Sequence, residues 1–124
     1  MKNLYIYLLM LFMHIVDDFY LQGWLASAKQ KEWWEKNAPE KVYKFDYIWA
    51  LMIHSFSWTF MTMLPIAFTM NFEVNGVFIC LFVGNLLIHA IVDNMKANLK
   101  MINLITDQSI HMLQILITWI IMIG

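Results

Sequence analysis

Apolar residues in this sequence are grouped into four long runs, separated by one long polar segment and two short turns. The runs cover residues 3–22, 45–70, 77–98 and 102–123. Each run is long enough to cross the hydrocarbon of a bilayer as a helix, which takes about 20 residues. The pattern therefore predicts an all-α fold, an integral membrane four-helix bundle, with residues 1–124 forming a single transmembrane domain.

The polar segment, residues 24–44, differs in character from the four runs. It carries five lysines, three glutamates and three tryptophans. Tryptophan and lysine are enriched where a membrane meets water. The segment is therefore predicted to be an interfacial amphipathic helix between spans one and two, ending near Asn37 and Pro39.

Composition agrees with a membrane protein and excludes some partners. Hydrophobic residues make up 61% of the chain and charged residues only 14%, whereas a soluble domain is nearer half apolar and a quarter charged. The net charge is -1 and arginine is absent, so no nucleic-acid partner is expected. The N-terminal run imitates a signal peptide, but Asp17 and Asp18 make a poor cleavage region, which favours a retained span.

Histidines and aspartates interrupt the apolar runs at matching depths. Counted from the lysine-bearing end of each span at about 1.5 Å per residue, the four histidines lie roughly 12–13 Å deep. The aspartates lie at about 6–8 Å on the same count. The histidines are His14, His54, His89 and His111, and the aspartates are Asp18, Asp93 and Asp107. The spans therefore place a layer of imidazoles beside a layer of carboxylates.

Spacing within each span puts these groups on one helix face. Asp18 follows His14 by four residues, Asp93 follows His89 by four, and Asp107 precedes His111 by four. Imidazole and carboxylate are the usual ligands of zinc when no thiolate is present. We therefore predict a divalent metal site, with zinc as the metal, whose ligands are His14, Asp18, His54, His89, Asp93, Asp107 and His111. This surplus of ligands indicates two metals or a second shell of orienting carboxylates.

Catalytic roles are predicted for Asp18, Asp93, Asp107 and Lys96. A carboxylate that is not on the metal would act as a general base. Lys96 lies near the cytoplasmic end of span three, where it would pair with a carboxylate or contact an anionic substrate. The plainer interpretation is that its side chain reaches to the membrane surface. Histidine, asparagine and glutamine within spans also serve as hydrogen-bonding contacts between helices, so a purely structural role is the alternative for the whole set.

At these residues the sequence resembles a family of small bacterial and phage membrane proteins, Domain of Unknown Function 3307. Four motifs carry the resemblance in order: His-x3-Asp-Phe-x-Leu-Gln, a histidine in span two, His-x3-Asp-x2-Lys, and Asp-Gln-x2-His. Here they are His14, Asp18, Phe19, Leu21 and Gln22; His54; His89, Asp93 and Lys96; and Asp107, Gln108 and His111. The resemblance implies a four-span protein of the bacterial cytoplasmic (inner) membrane with these site residues, and singles out Asp18 over Asp17. It supplies no reaction.

Three functions fit these features. The first is a metal-dependent hydrolase that acts on a lipid, a lipid-linked phosphate or a nucleotide at the cytoplasmic leaflet. The second is a transporter, channel or proton relay, since buried aspartate and histidine also carry ions. The third is a non-catalytic interaction protein embedded in the lipid bilayer. A homo-oligomer is compatible with each of them.

Lysine distribution predicts the orientation of the chain in the membrane. Five lysines lie between spans one and two, and Lys96 and Lys100 lie at the turn between spans three and four. The positive-inside rule puts these loops in the cytoplasm and both termini outside, although Lys2 opposes it weakly. An epitope tag at the N-terminus should be accessible to antibody in intact spheroplasts, and a tag within residues 24–44 only after permeabilisation. The reverse pattern would contradict the orientation.

Overall fold

The structure, a computed structural model, describes residues 1–124 and is entirely helical. Its α-helices are α1 (Lys2–Ile15), α2 (Leu25–Ala28), α3 (Lys31–Asn37), α4 (Asp46–Thr69), α5 (Gly76–Ala97) and α6 (Leu104–Met122). A π-helical segment, Val16–Leu21, continues α1, and a 3₁₀ turn, Lys41–Tyr43, precedes α4. The predicted all-α fold is confirmed. Four stretches are long and apolar enough to cross a membrane: Lys2–Leu21, Lys41–Thr69, Gly76–Ala97 and Leu104–Met122.

The four long helices pack in a ring, in which each one contacts two neighbours. Helix α4 lies between α1 and α5, and α6 closes the ring by packing on α5 and α1. Short connections enforce this arrangement by turning the chain back at once. Asn71 and Phe72 adopt positive φ angles of 52° and 62° between α4 and α5. Asn75 caps α5 and Asn103 caps α6, each accepting a backbone N–H at 2.9 Å.

The bundle is polar inside and apolar outside. Of its 29 buried residues, 15 are polar or charged, whereas phenylalanine, isoleucine and leucine side chains from all four long helices are exposed. In water such a distribution would forfeit the hydrophobic effect. In a bilayer the apolar exterior meets lipid, and the polar groups satisfy one another within. The distribution therefore agrees with the predicted multi-pass membrane protein.

The apolar core occupies one half of the bundle. It consists of Ile6, Met10, Trp58, Met63, Ile66, Ala67, Phe78 and Ile115. These residues come from the start of α1 and α5 and from the later turns of α4 and α6, which meet at the end remote from segment 24–44. The buried aspartates and histidines fill the other half. Pro65 lies within α4, and the helix continues past it to Thr69.

Segment 24–44 is not the single helix that the sequence predicts. Gln30 has an extended backbone, φ -94° and ψ 120°, which separates α2 from α3. Helix α3 ends at Asn37 as predicted, because Ala38, ahead of Pro39, has non-helical backbone angles of φ -146° and ψ 73°. The tryptophans of the segment form an edge-to-face cluster, with the Trp33 and Trp34 rings 5.0 Å apart. Residence of this segment at a membrane interface stays a prediction.

One asparagine at the end of α5 fastens this segment to the bundle. Asn98 Oδ1 accepts the backbone N–H of Lys31 at 2.6 Å, and Asn98 Nδ2 donates to the carbonyl oxygen of Lys29 at 3.0 Å. The side chain thus holds the backbone on both sides of the extended residue Gln30. The segment is positioned by specific hydrogen bonds as well as by its packing on α4.

Replacing Asn98 with alanine should release this segment. Loss of the two hydrogen bonds is expected to cost about 1–3 kcal/mol locally. Trypsin in detergent should then cut at the lysines of residues 29–44 several times faster than in the wild type. Asn37→Ala, which removes only an exposed bond to the Trp33 carbonyl oxygen, is the matched control. Equal cleavage rates for the two variants would contradict the role of Asn98.

Candidate metal centre

The structure gathers all seven predicted ligands into one cluster between the four long helices. His14, His89, Asp107 and His111 are 0% exposed, His54 and Asp93 1%, and Asp18 9%. Because α1 and α5 run opposite to α6, histidine precedes aspartate on the first two helices and follows it on α6, so like groups lie at similar depths. The cluster forms the largest concentration of ionisable groups in the bundle interior.

The π-helical segment directs two adjacent aspartates into the bundle. In an α-helix neighbouring residues point about 100° apart, so Asp17 and Asp18 would not both face inward. Here they are 1% and 9% exposed. Asp17 Oδ1 accepts the Ser57 hydroxyl at 2.5 Å, and Asp18 reaches the histidine cluster. A π-helical turn of this kind often marks a functional site.

Asp93 lies at the centre, and its two oxygens face different partners. Oδ2 is 2.9 Å from Lys29 Nζ, 3.2 Å from His54 Nε2 and 3.4 Å from His89 Nε2. Oδ1 is 3.1 Å from His111 Nε2. One carboxylate thus joins segment 24–44 to helices α4, α5 and α6.

Three donor atoms in the cluster form a triangle of the size that a metal ion requires. His54 Nε2 and His89 Nε2 are 3.1 Å apart, and Asp93 Oδ2 completes the triangle with edges of 3.2 and 3.4 Å. Tetrahedral zinc with bonds of about 2.0–2.2 Å separates its ligand atoms by roughly 3.3–3.6 Å. Asp18 Oδ1, 3.1 Å from His54 Nε2, offers a fourth donor. These buried groups could hold a metal ion.

A second group of donors shares His89 and Asp93 with the triangle. His89, Asp93 and His111 present ligand atoms within 4.8 Å of one another, as do Asp18, His54 and His89. His111 Nε2 also lies 3.2 Å from Asp107 Oδ1. The geometry therefore contains two overlapping positions for a cation, one on each side of Asp93.

His111 is oriented by a network that extends away from the cluster. Its Nδ1 lies 2.9 Å from Gln114 Oε1, and Gln114 Nε2 donates at 3.1 Å to both the backbone and the side-chain oxygen of Asn85. Asn85 in turn donates to Thr118 Oγ1 at 2.7 Å. These bonds fix the Gln114 amide so that its oxygen accepts from the imidazole. The Nε2 atom of His111 therefore faces Asp93 and Asp107. Metal-binding histidines are commonly oriented in this way by a hydrogen bond on their other ring nitrogen.

His14 is held by two side chains and lies outside both donor groups. Trp58 Nε1, which can only donate, bonds to His14 Nδ1 at 2.7 Å, and His14 Nε2 lies 2.8 Å from Gln108 Oε1. Both ring nitrogens are therefore engaged, and His14 carries its proton on Nε2. The Nε2 atom of Gln108 in turn donates to Asp18 Oδ2 and to Asp107 Oδ2, each at 3.1 Å. The predicted role of His14 as a ligand stays a prediction; its contacts are those of a positioning residue.

The cluster has more carboxylates than cations. Four aspartates are buried, Asp17 among them, and two lysines contact them. Lys29 meets Asp93, and Lys96 Nζ lies 3.4 Å from Asp107 Oδ2. With carboxylates ionised and imidazoles neutral, two negative charges remain. That excess matches one divalent cation in charge, and an uncompensated excess would be costly at this burial.

Some buried atoms in the cluster lack a hydrogen-bond partner. Asp18 Oδ1 and Asp107 Oδ1 have none, although each lies within 3.2 Å of a histidine Nε2. An unsatisfied buried acceptor typically costs about 1–3 kcal/mol. Both oxygens face the donor groups described above, so a cation bound there would satisfy them. The donor set and its spacing could therefore hold a metal ion.

Lys29 and Trp58 belong to the cluster but are not among the residues that the sequence predicts. Lys29 is 6% exposed, whereas the sequence groups it with the interfacial lysines. The small residues Ala26, Ser27 and Ala28 ahead of it are the one signal of close packing. Trp58 stacks on His89 with ring centroids 4.3 Å apart, besides bonding to His14. Lys96, by contrast, pairs with the carboxylate of Asp107, which is one of the roles that the sequence predicts for it.

Comparison with family models, with curated proteins and with solved structures found no match to this chain. The resemblance to Domain of Unknown Function 3307 therefore stays a prediction.

Asp93→Asn should be among the most destabilising single substitutions in the bundle. It leaves the Lys29 ammonium buried without its carboxylate, at a cost of about 3–5 kcal/mol. Adding Lys29→Met should recover part of that loss, because the unpaired charge is removed as well. Chemical denaturation in detergent would measure both variants against Lys100→Met, which removes only an exposed pair with Glu32. Strictly additive effects of the two substitutions would exclude the pairing.

Proposed function

We propose that this protein is a membrane-embedded, metal-dependent hydrolase of the bacterial cytoplasmic membrane. The observation that carries the proposal is the triangle of His54 Nε2, His89 Nε2 and Asp93 Oδ2, with edges of 3.1 to 3.4 Å, inside a cluster of four buried aspartates. Zinc suits this set of nitrogen and oxygen ligands. Membership of the Domain of Unknown Function 3307 family is part of the proposal.

Each residue of the cluster has a role in this proposal. His54, His89 and Asp93 hold the metal, with Asp18 as a further ligand and His111 and Asp107 on the far side of Asp93. A bound dication would supply Lewis acidity, lowering the pKa of a water molecule and polarising a phosphoryl or acyl oxygen. Asp107, which contacts both His111 and Lys96, is the carboxylate best placed to accept a proton.

The partly exposed edge of the cluster at Lys96 and Gln108, called its mouth here, determines which substrates can approach. Lys96 is 28% exposed in its side chain, and Gln108 beside it is partly exposed, whereas the histidines are closed off. A partly exposed ammonium beside the cluster suits an anionic group. Because the flanking surface is apolar, a lipid or lipid-linked phosphate fits this mouth better than a free nucleotide does. The lysine-rich loops orient it towards the cytoplasmic leaflet.

A transporter, channel or proton relay has less support. The polar network that begins at His111 ends at Thr118, and the apolar core of Met10, Met63, Ile66 and their neighbours fills the rest of the bundle. A conduit needs polar lining through its whole thickness. Conduction would therefore have to run between subunits of a homo-oligomer.

A non-catalytic interaction protein is disfavoured by the unpaired atoms. If the cluster served only to join helices, its polar atoms should satisfy one another. Asp18 Oδ1 and Asp107 Oδ1 remain without hydrogen bonds despite being surrounded by polar groups. That pattern is typical of a binding site.

Metal content of the purified protein tests the proposal. Wild type, purified without added chelator, should carry at least one zinc or other divalent metal per chain by elemental analysis. His89→Ala should lose it at least tenfold, in line with the loss of a direct ligand. Glu73→Gln, in the exposed turn at the opposite end, is the control and should retain it. Folded wild-type protein that contains no metal, and binds none on dialysis against zinc or manganese, would refute the proposal.

Hydrolysis then distinguishes the enzyme from a metal-binding protein without activity. Phosphatidic acid, p-nitrophenyl phosphate and ATP are presented to the metal-loaded protein in detergent, and phosphate release is measured. Turnover should be greatest on the lipid phosphate and should fall in Asp107→Asn by about 100-fold or more, as expected for a general base. Loss of activity with metal content unchanged would assign Asp107 to catalysis.

A further inference from the structure

Asp93 has the arrangement of a carboxylate that bridges two cations. Its Oδ2 faces His54 and His89, and its Oδ1 faces His111. In two-metal hydrolytic sites the ions lie about 3.5–4 Å apart and share such a ligand. The triangle of His54, His89 and Asp93 and the group of His89, Asp93 and His111 share His89 and Asp93, and they use different oxygens of Asp93. The ligands alone would therefore suit a two-metal centre.

One of these two positions has a cation of the protein's own beside it. Lys29 Nζ lies 2.9 Å from Asp93 Oδ2, and the lysine is 6% exposed. A lysine is almost never buried to this degree unless it is paired. The ammonium thus contacts the same oxygen that completes the triangle with His54 and His89.

The surrounding backbone keeps Lys29 at this point. Asn98 donates to the Lys29 carbonyl oxygen at 3.0 Å, and Trp34 Nε1 donates to the carbonyl oxygen of the preceding residue, Ala28, at 2.7 Å. Ala28 itself is 0% exposed. The ammonium is therefore held by segment 24–44 as a fixed part of the cluster, unlike the exposed lysines that come later in the segment.

We propose that Lys29 is a built-in counter-ion to Asp93, whose positive charge beside the His54–His89–Asp93 triangle limits the centre to one divalent ion. With its carboxylates ionised and its imidazoles neutral, the cluster has an excess of two negative charges, which one dication neutralises. Without Lys29 the excess is three, one dication leaves a negative charge uncompensated, and a second ion can bind. This inference rests on the proposed metal site, and extends it by assigning metal stoichiometry to a lysine outside the four long helices.

Metal stoichiometry of Lys29→Gln tests the inference. Glutamine keeps a donor for Asp93 but removes the charge, so the fold is preserved better than with a truncation. After equilibrium dialysis against manganese, wild type should bind one ion per chain and Lys29→Gln should bind two, a twofold change. Lys31→Gln, two residues away and exposed, and Lys29→Arg, which keeps the charge, should both remain at one.

Electron paramagnetic resonance of the manganese-loaded proteins provides a second measurement. Wild type should give the spectrum of an isolated ion, and Lys29→Gln that of a spin-coupled pair. Circular dichroism would verify helical content in each variant, and Lys29→Met, purified with metal present throughout, would replace Lys29→Gln if that variant failed to fold.

The outcomes separate this inference from the proposed function. Two ions in wild type, or one ion in both wild type and the uncharged variants, would overturn the role of Lys29 and leave the metal site standing. Failure of both uncharged variants to fold, or binding of less metal by them than by wild type, would also overturn it, since Lys29 would then act as structural support. Wild type that binds no ion would refute the metal site itself.

Discussion

Burial of four carboxylates in an apolar bundle is the constraint on which the rest of this structure depends. An ionised group removed from water is tolerable only where opposite charges or hydrogen-bond donors surround it. Asp93 meets this condition through a lysine and three histidines, which come from its own helix and from three other parts of the chain. Helix packing, the π-helical segment and the attachment of segment 24–44 all serve to bring buried carboxylates and their partners together.

The bundle is divided into an apolar half and a half that contains the buried aspartates and histidines, and the first supports the second. The apolar core makes one end a closely packed support, in which Trp58 and Met10 are fully buried. Trp58 belongs to both halves, since it packs in that core, stacks on His89 and donates to His14. A layer of this kind would hold the side chains of the proposed metal centre in place, which is what such a centre requires of its surroundings. Ionisable groups are thereby confined to the end where segment 24–44 covers the cluster.

The sequence predicted the elements well because the physics that produces them is local. A run of about 20 apolar residues in a bilayer has few alternatives to a helix, since every backbone polar group must be satisfied within it. The structure has the four helices within a few residues of the predicted bounds. Spacings of three and four residues likewise placed His89 with Asp93, and Asp107 with His111, on shared faces. The exception is segment 24–44, where the extended backbone of Gln30 divides the predicted helix into α2 and α3.

What the sequence by itself determined was the set of buried ionisable residues and their common depth, because both follow from helical rise and from the cost of charge in an apolar run. Only the tertiary structure decided which of them touch. In the folded bundle His14 bonds to Trp58 and Gln108, and Lys29 reaches from the polar segment into the middle of the cluster. No periodicity encodes such a contact, since the partners Lys29 and Asp93 are 64 residues apart and their meeting depends on how whole helices and loops pack.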